Sequence, residues 1–287
     1  IPQARLFPEV GHLAAYDRFY DHRGNRVFFR SSQWGSHSHS HCDQNGFVIH
    51  ADGEILACDA GYYTYAGDTY HGQWSRMTYT HNTILVNGES QPKSITAKGE
   101  VTAFFNTPDA CFFLGDASAA YEDRLRKFHR SVLYLRPDVW IVHDDLEAPE
   151  PSDYTWLLNT FEPADIDDEA RTLIVRQRNQ RLVVHHLTPD RLDYSQDNHK
   201  PYPMKTRAWC RFTEDFPQQW NIRVKTAWES AHERILAVMH THDQAAGPAV
   251  DGIKRVDTDD ALGLSFRRSG RDETALEVAR QLAGRLE

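Results

Sequence analysis

Gly35-Ser-His-Ser-His-Ser-His-Cys-Asp-Gln-Asn-Gly-Phe-Val-Ile-His-Ala-Asp-Gly-Glu-Ile-Leu-Ala-Cys-Asp59 carries the two signals from which the fold is read. Its second half sets Asp52-Gly53 between the apolar runs Phe47–His50 and Ile55–Asp59. Asp-Gly in that setting is a strong hairpin signal, because both residues tolerate the positive φ of a tight turn. The first half places His37, His39 and His41 at alternate positions and adds Asp43. On a strand, alternate side chains share one face, so all four would point the same way. Imidazoles and carboxylates are zinc ligands and proton carriers.

Register decides whether Asp59 joins these histidines. A two-residue Asp52-Gly53 loop pairs Gly46 with Asp59 and turns Asp59 away from His41. A three-residue Ala51-Asp52-Gly53 loop pairs Asn45 with Asp59 and brings it to the face of His39 and His41. A working partnership between Asp59 and the histidines therefore predicts the longer loop or a bulge.

Outward from this stretch, short β patterns recur. Val27–Arg30 precedes it, and Thr80–Val86 closes in an Asn87-Gly88 turn. Val101–Phe105, Cys111–Leu114, Ser131–Leu135, Val139–His143 and Tyr154–Leu158 follow, and Leu173–Arg176, Arg181–His185, Asn221–Lys225 and Arg234–Met239 continue the series. Many short strands between turn signals predict an all-β fold, a large antiparallel sandwich or barrel. A single helical pattern, Asp272–Gly284, predicts a short C-terminal helix, and residues 186–220 read as a long loop. No internal repeat or domain boundary is visible, so residues 1–287 are expected to form one sandwich domain.

The chain has 287 residues and a net charge of -9, which argues against a nucleic-acid partner, since phosphate binding needs a basic footprint. An anionic sugar polymer remains compatible through a local cluster of Arg, Lys and His. No apolar run reaches membrane-spanning length and no signal peptide is visible. The chain starts Ile-Pro-Gln, as a processed product or a cut piece does. Cys42, Cys58, Cys111 and Cys210 are widely spaced and without a CxxC pair, which suits buried thiols.

Four motifs in order carry a family resemblance: Ser36-x-Ser-His-Ser-His41-Cys-Asp43-Gln-Asn-x-Phe47, Asp59-Ala-Gly-Tyr-Tyr63, Trp74-Ser-Arg76, and Thr80-His81-Asn82-Thr83-Ile-Leu-Val-Asn-Gly88-x-x-Gln91. Together they resemble the heparinase II/III-like polysaccharide lyases, most closely the branch with exo-acting alginate and related uronate lyases. The segment Arg130-x-Val-Leu-Tyr-Leu-x-Pro-Asp138 to Val142-x-Asp144-Asp145-Leu fits as well. The likeness is good over residues 1–160 and weak beyond. In that family a toroid of paired helices precedes an antiparallel β-sandwich, and the motifs here belong to the sandwich. The resemblance implies a missing toroid against which this domain packs, and a bacterial periplasmic or secreted setting is expected.

Position by position, the resemblance implies that His39 is the active-site histidine and that His41, Asp59 and His81 bind a structural zinc ion. Cys42 stands where the family usually has a small or non-thiol residue. A uronate lyase removes the C5 proton beside a carboxylate and expels the 4-linked sugar. It must neutralise that carboxylate and supply a base and an acid. His39 suits the first or second task, and Arg76 or Gln44 the first. Tyr63 and Tyr65 are local candidates for proton transfer and sugar contact, although the family's main catalytic tyrosine belongs to the toroid. The aromatic segment from Tyr62 to Trp74 suits stacking on sugar faces. The partner expected is an anionic polysaccharide or oligosaccharide. The competing reading is a non-catalytic sandwich that binds acidic carbohydrate or supports a partner domain. A cupin-type metalloenzyme ranks last, because Gln44-Asn45-Gly46 supplies no glutamate after the histidine pair.

Overall fold

The computed structural model describes residues 2–36, 39–59, 68–199, 201, 219–248, 250–257, 262–268 and 271–276. Five strands open the chain as an antiparallel meander: β1 (Ala4–Phe7), β2 (His12–Tyr16), β3 (Arg26–Arg30), β4 (Gly46–Ala51) and β5 (Glu54–Ala57). Then come β6 (Ile84–Val86), β7 (Glu100–Asn106), β8 (Ala110–Asp116), β9 (Lys127–Leu135) and β10 (Val139–Ser152). They are followed by β11 (Tyr154–Thr160), β12 (Ala164–Asp167), β13 (Thr172–Gln177), β14 (Gln180–Thr188) and β15 (Leu192–Asp197). The last are β16 (Trp220–Thr226), β17 (Ser230–Asp243), β18 (Val250–Asp257), β19 (Leu262–Arg268) and β20 (Arg271–Leu276). An eight-stranded sheet runs β12-β13-β14-β17-β10-β9-β8-β7, a four-stranded one β15-β16-β11-β6, and a three-stranded one β18-β19-β20.

Strand alternation divides the apolar side chains between two cores. Trp140, Val142, Ala237 and Met239 on the eight-stranded sheet meet Phe29 and Ile49 of the first sheet and Trp156 and Ile222 of the four-stranded sheet. The intervening residues Val139, Ile141, Leu236 and Val238 face the other way, against Val250, Leu264 and Phe266 of the three-stranded sheet. Each large side chain buried in this way contributes about 1.5–3 kcal/mol. The central strands are therefore apolar on both faces, as sheets covered on both sides are.

Within the larger core lies a buried charge pair. Arg130 Nε and Nη2 donate to Asp144 Oδ1 and Oδ2 at 2.6 and 2.7 Å, and both side chains have zero exposure. Arg130 Nη1 donates to the carbonyls of Asn45 and Asn82, each at 2.8 Å. Its guanidinium stands 5.4 Å from the Phe47 ring centre and 5.5 Å from that of Phe128. The eight-stranded sheet thus grips two loop segments from below.

Four expectations are corrected. The described part of the histidine run, residues 39–43, is not a strand: residues 33–36 before it form turns, and β4 starts only at Gly46. Side chains take up the carbonyls a neighbouring strand would need. Arg76 binds those of Ser36 and Ser40, and Arg30 those of Gly35 and His41. Asn45 then turns left-handed, with φ 56°. The strand expected from Thr80 begins at Ile84, after a 3-10 turn over Thr78–Thr80, although the Asn87-Gly88 turn forms with φ 53° and 73°. Within the expected helix Asp272–Gly284, residues 272–276 are strand β20, paired Phe266↔Glu273 and Leu264↔Ala275; residues 277–284 lie outside the described residues. Pairing with a strand whose other neighbours are fixed outweighs helix propensity, which is worth only tenths of a kcal/mol per residue. The expected loop 186–220 contains β15, whose Leu192 and Tyr194 turn inward while Asp193 and Ser195 stay exposed.

Candidate metal centre and active-site cluster

The hairpin has the two-residue loop, with Ala51 opposite Glu54 and φ of 48° and 84° at Asp52 and Gly53. It also has a bulge: His50 pairs with Ile55, but Ile49 pairs with Ala57, leaving Leu56 as the extra residue. One inserted residue reverses which side chains follow on which face. This is the alternative that a partnership of Asp59 with the histidines required. The chain leaves β5 with Cys58 N donating to Asn159 O at 2.8 Å, and Asp59 follows.

His41, Asp59 and His81 converge, with one potential ligand atom from each lying within 4.8 Å of the other two. His81 Nδ1 lies 2.5 Å from Asp59 Oδ1, and the His41 and His81 ring centres are 5.1 Å apart. The His81 side chain is 2% exposed and that of Asp59 43% exposed, so the cluster is closed below and open above. With Nδ1 turned to Asp59, the other nitrogen of the buried His81 ring, Nε2, has no hydrogen-bond partner. Buried polar atoms without partners are costly, so such a ring points to a ligand. Burial, reinforced by His81, His71 and Arg76 and opposed by Asp59, pushes the His41 imidazole down to about 3. A neutral imidazole is the form that coordinates a metal. Two imidazoles and one carboxylate fit a zinc ion.

The loop carrying His39 and His41 is held by two arginines. Arg76 Nε and Nη2 donate to Ser40 O at 3.1 and 2.6 Å, and Nη2 also to Ser36 O at 3.1 Å. Arg30 pairs with Asp43 and reaches Gly35 O at 3.2 Å. Burial lowers the Arg30 guanidinium to about 10, opposed by Asp59, so it stays charged at neutral pH. Asp43 is thereby an anchor of the loop. His39 is left exposed, on the wall of an open cleft of about 880 Å³ that it shares with Phe7, Trp34, His41, Asp59 and His81.

Gln44 is fully buried, not on the cleft wall: Oε1 accepts from Ser32 N at 2.6 Å, and its backbone N donates to Gln91 Oε1 at 2.9 Å. It supports the loop from behind. Tyr63, Tyr65 and His37 lie outside the described residues, as does Cys210. Cys42, Cys58 and Cys111 are buried free thiols, and Cys42 is not among the converging ligands. Sequence reasoning missed Arg30, which no motif marked, and His71. The latter is buried in the turn His71–Ser75, its ring centre 6.1 Å from that of His41. A lone histidine in an aromatic, aperiodic segment gave no signal.

The model of the heparinase II/III-like C-terminal domain matches residues 2–225. No curated protein matches the chain in sequence. Among solved structures, the chain is similar to the heparan sulfate lyase HepC from Pedobacter heparinus, with TM-score 0.77 and 14% identity, covering 95% of this chain and 42% of that one. It is also similar to a heparinase III, with TM-score 0.74 and 15% identity, covering 96% of this chain and 43% of the other. The chain thus spans less than half the length of these lyases.

Proposed function

Because the chain belongs to the heparinase II/III-like family, through that family's C-terminal domain, we propose that it is the β-sandwich half of a polysaccharide lyase acting on uronate-containing polymers. His39 stands at the reacting sugar, where it hydrogen-bonds the C6 carboxylate or takes the C5 proton. The electron pair released at C5 forms the C4–C5 double bond. The bond from C4 to the bridging oxygen breaks, and that oxygen takes a proton from an acid. Tyr63 is the local candidate for proton transfer, beside the tyrosine expected from a toroid domain that closes the cleft from the other side. Arg76 contributes positive charge to the substrate carboxylate while holding the loop, Tyr65 contacts sugar, and Gln44 acts through the loop it supports. His41, Asp59 and His81 hold a zinc ion whose role is to tie three chain segments together beside His39. On motif likeness the nearest branch is that of the exo-acting alginate and related uronate lyases.

The single observation that carries this reading is the pairing of an exposed His39 on the cleft wall with a half-buried His41, two residues away, that converges with Asp59 and His81. The test pairs the chain with a helical toroid domain of this family and offers alginate, heparan sulfate and glucuronan. Ultraviolet absorbance of the new double bond is expected on one of them and is expected to vanish in His39→Ala. No absorbance on any uronate polymer, with the helical part present, refutes the lyase reading and leaves carbohydrate binding in its place.

A further inference from the structure

The three converging ligands come from chain segments with no strand pairing between them, so something other than a β ladder must fix their spacing. Asn82 directly follows His81, and Cys58 directly precedes Asp59. Asn82 Nδ2 donates to Cys58 O at 2.8 Å and to Phe47 O at 2.7 Å, while Asn82 Oδ1 accepts from Asn159 N at 2.7 Å. The Asn82 carbonyl is the one gripped by Arg130. Thr83 Oγ1 donates to Gln44 O at 2.8 Å, three residues beyond His41. With 1% exposure, Asn82 has no solvent to fall back on.

We propose that Asn82 is a positioning residue: its planar amide clasps the backbone before Asp59 to the backbone after His81 and so sets the spacing of these two metal ligands. The inference rests on the zinc reading above. The clasp needs two N–H donors and one acceptor in a single plane at the end of a short stem. Aspartate keeps the shape and the acceptor but loses both donors. Serine offers one hydroxyl on a shorter stem and cannot span both carbonyls. With the donors gone, two buried carbonyls lose a partner and the Asp59 segment is released, while each ligand side chain is still present. Groups that orient ligands without binding the metal typically control affinity by about 10–100-fold.

The test measures zinc affinity of the full chain by chelator competition at 10 °C, well below unfolding, beside thermal melts. Asn82→Asp and Asn82→Ser are compared with Val238→Ala, which opens a cavity in the second core, remote from the cluster, and with His81→Ala. The clasp is supported if both Asn82 variants stay folded and bind zinc about 10–100-fold more weakly, while Val238→Ala lowers the melting temperature yet keeps its affinity within threefold. Wild-type affinity in folded Asn82 variants overturns the clasp and leaves the metal site standing. Failure of both variants to fold at 10 °C also overturns it, making Asn82 a general stability element. If the wild-type chain takes up no more zinc than His81→Ala, the metal reading falls and the clasp with it.

Discussion

Arg130→Met removes a guanidinium that makes four hydrogen bonds at 2.6–2.8 Å in a site with no exposure. Methionine fills much the same volume, so a cavity adds little and the cost is electrostatic. Asp144 is left buried and charged without its partner, for which removal of one member of a buried pair costs about 3–5 kcal/mol. The carbonyls of Asn45 and Asn82 lose a charged donor as well, which places the expected loss at the upper end of that range. For a protein with about 5–15 kcal/mol of total stability this is a large fraction. Urea denaturation followed by tryptophan fluorescence measures it as a fall in midpoint at unchanged slope. The double variant Arg130→Met/Asp144→Leu separates charge from shape. With both charges gone the desolvation penalty disappears, and the double variant is expected to be more stable than Arg130→Met, though below wild type because the two carbonyls stay unpaired. A loss under about 1 kcal/mol in Arg130→Met, or a double variant less stable than the single, refutes the reasoning.

Acid lability follows from two histidines outside the cluster. Burial pushes His186, set edge-on against Trp156, and His240, stacked between His185 and His242, down to about 3. Well above pH 6.5 both rings are neutral whether the chain is folded or not. As pH falls below 6.5 the unfolded chain takes up protons that the folded one refuses, so stability drops by up to about 1.4 kcal/mol per pH unit for each ring. A urea midpoint that stays flat from pH 6.5 to 5 contradicts this, and His240→Gln is expected to flatten the slope. Gly115→Ala places a Cβ 2.2 Å from Asn45 Oδ1 and 2.6 Å from the Phe29 ring. The Asn45 loop or the ring must shift, and a loss of about 1–3 kcal/mol is expected by denaturation; an unchanged midpoint contradicts the close approach.

Sequence made the all-β, antiparallel class legible because alternation and turn chemistry are local: Asp52-Gly53 and Asn87-Gly88 form the turns their residues demand. The converging group His41, Asp59 and His81 was also named by sequence, but through a family resemblance. Alternation put His39, His41 and Asp43 on one strand face, and that face does not exist, because arginine side chains from elsewhere occupy the loop's carbonyls.

What the chain determined by itself was the alternation that builds two cores and the residue types able to hold a metal ion. Only the tertiary structure decided which residues meet. The Leu56 bulge is one extra residue and reverses a face. The strand Arg271–Leu276 displaced an intrinsic helix preference through its pairing with β19. Arg130 and Asn82 join segments dozens of positions apart. Such choices rest on burial and on hydrogen bonds between distant groups, and neither has a period that can be read along the chain.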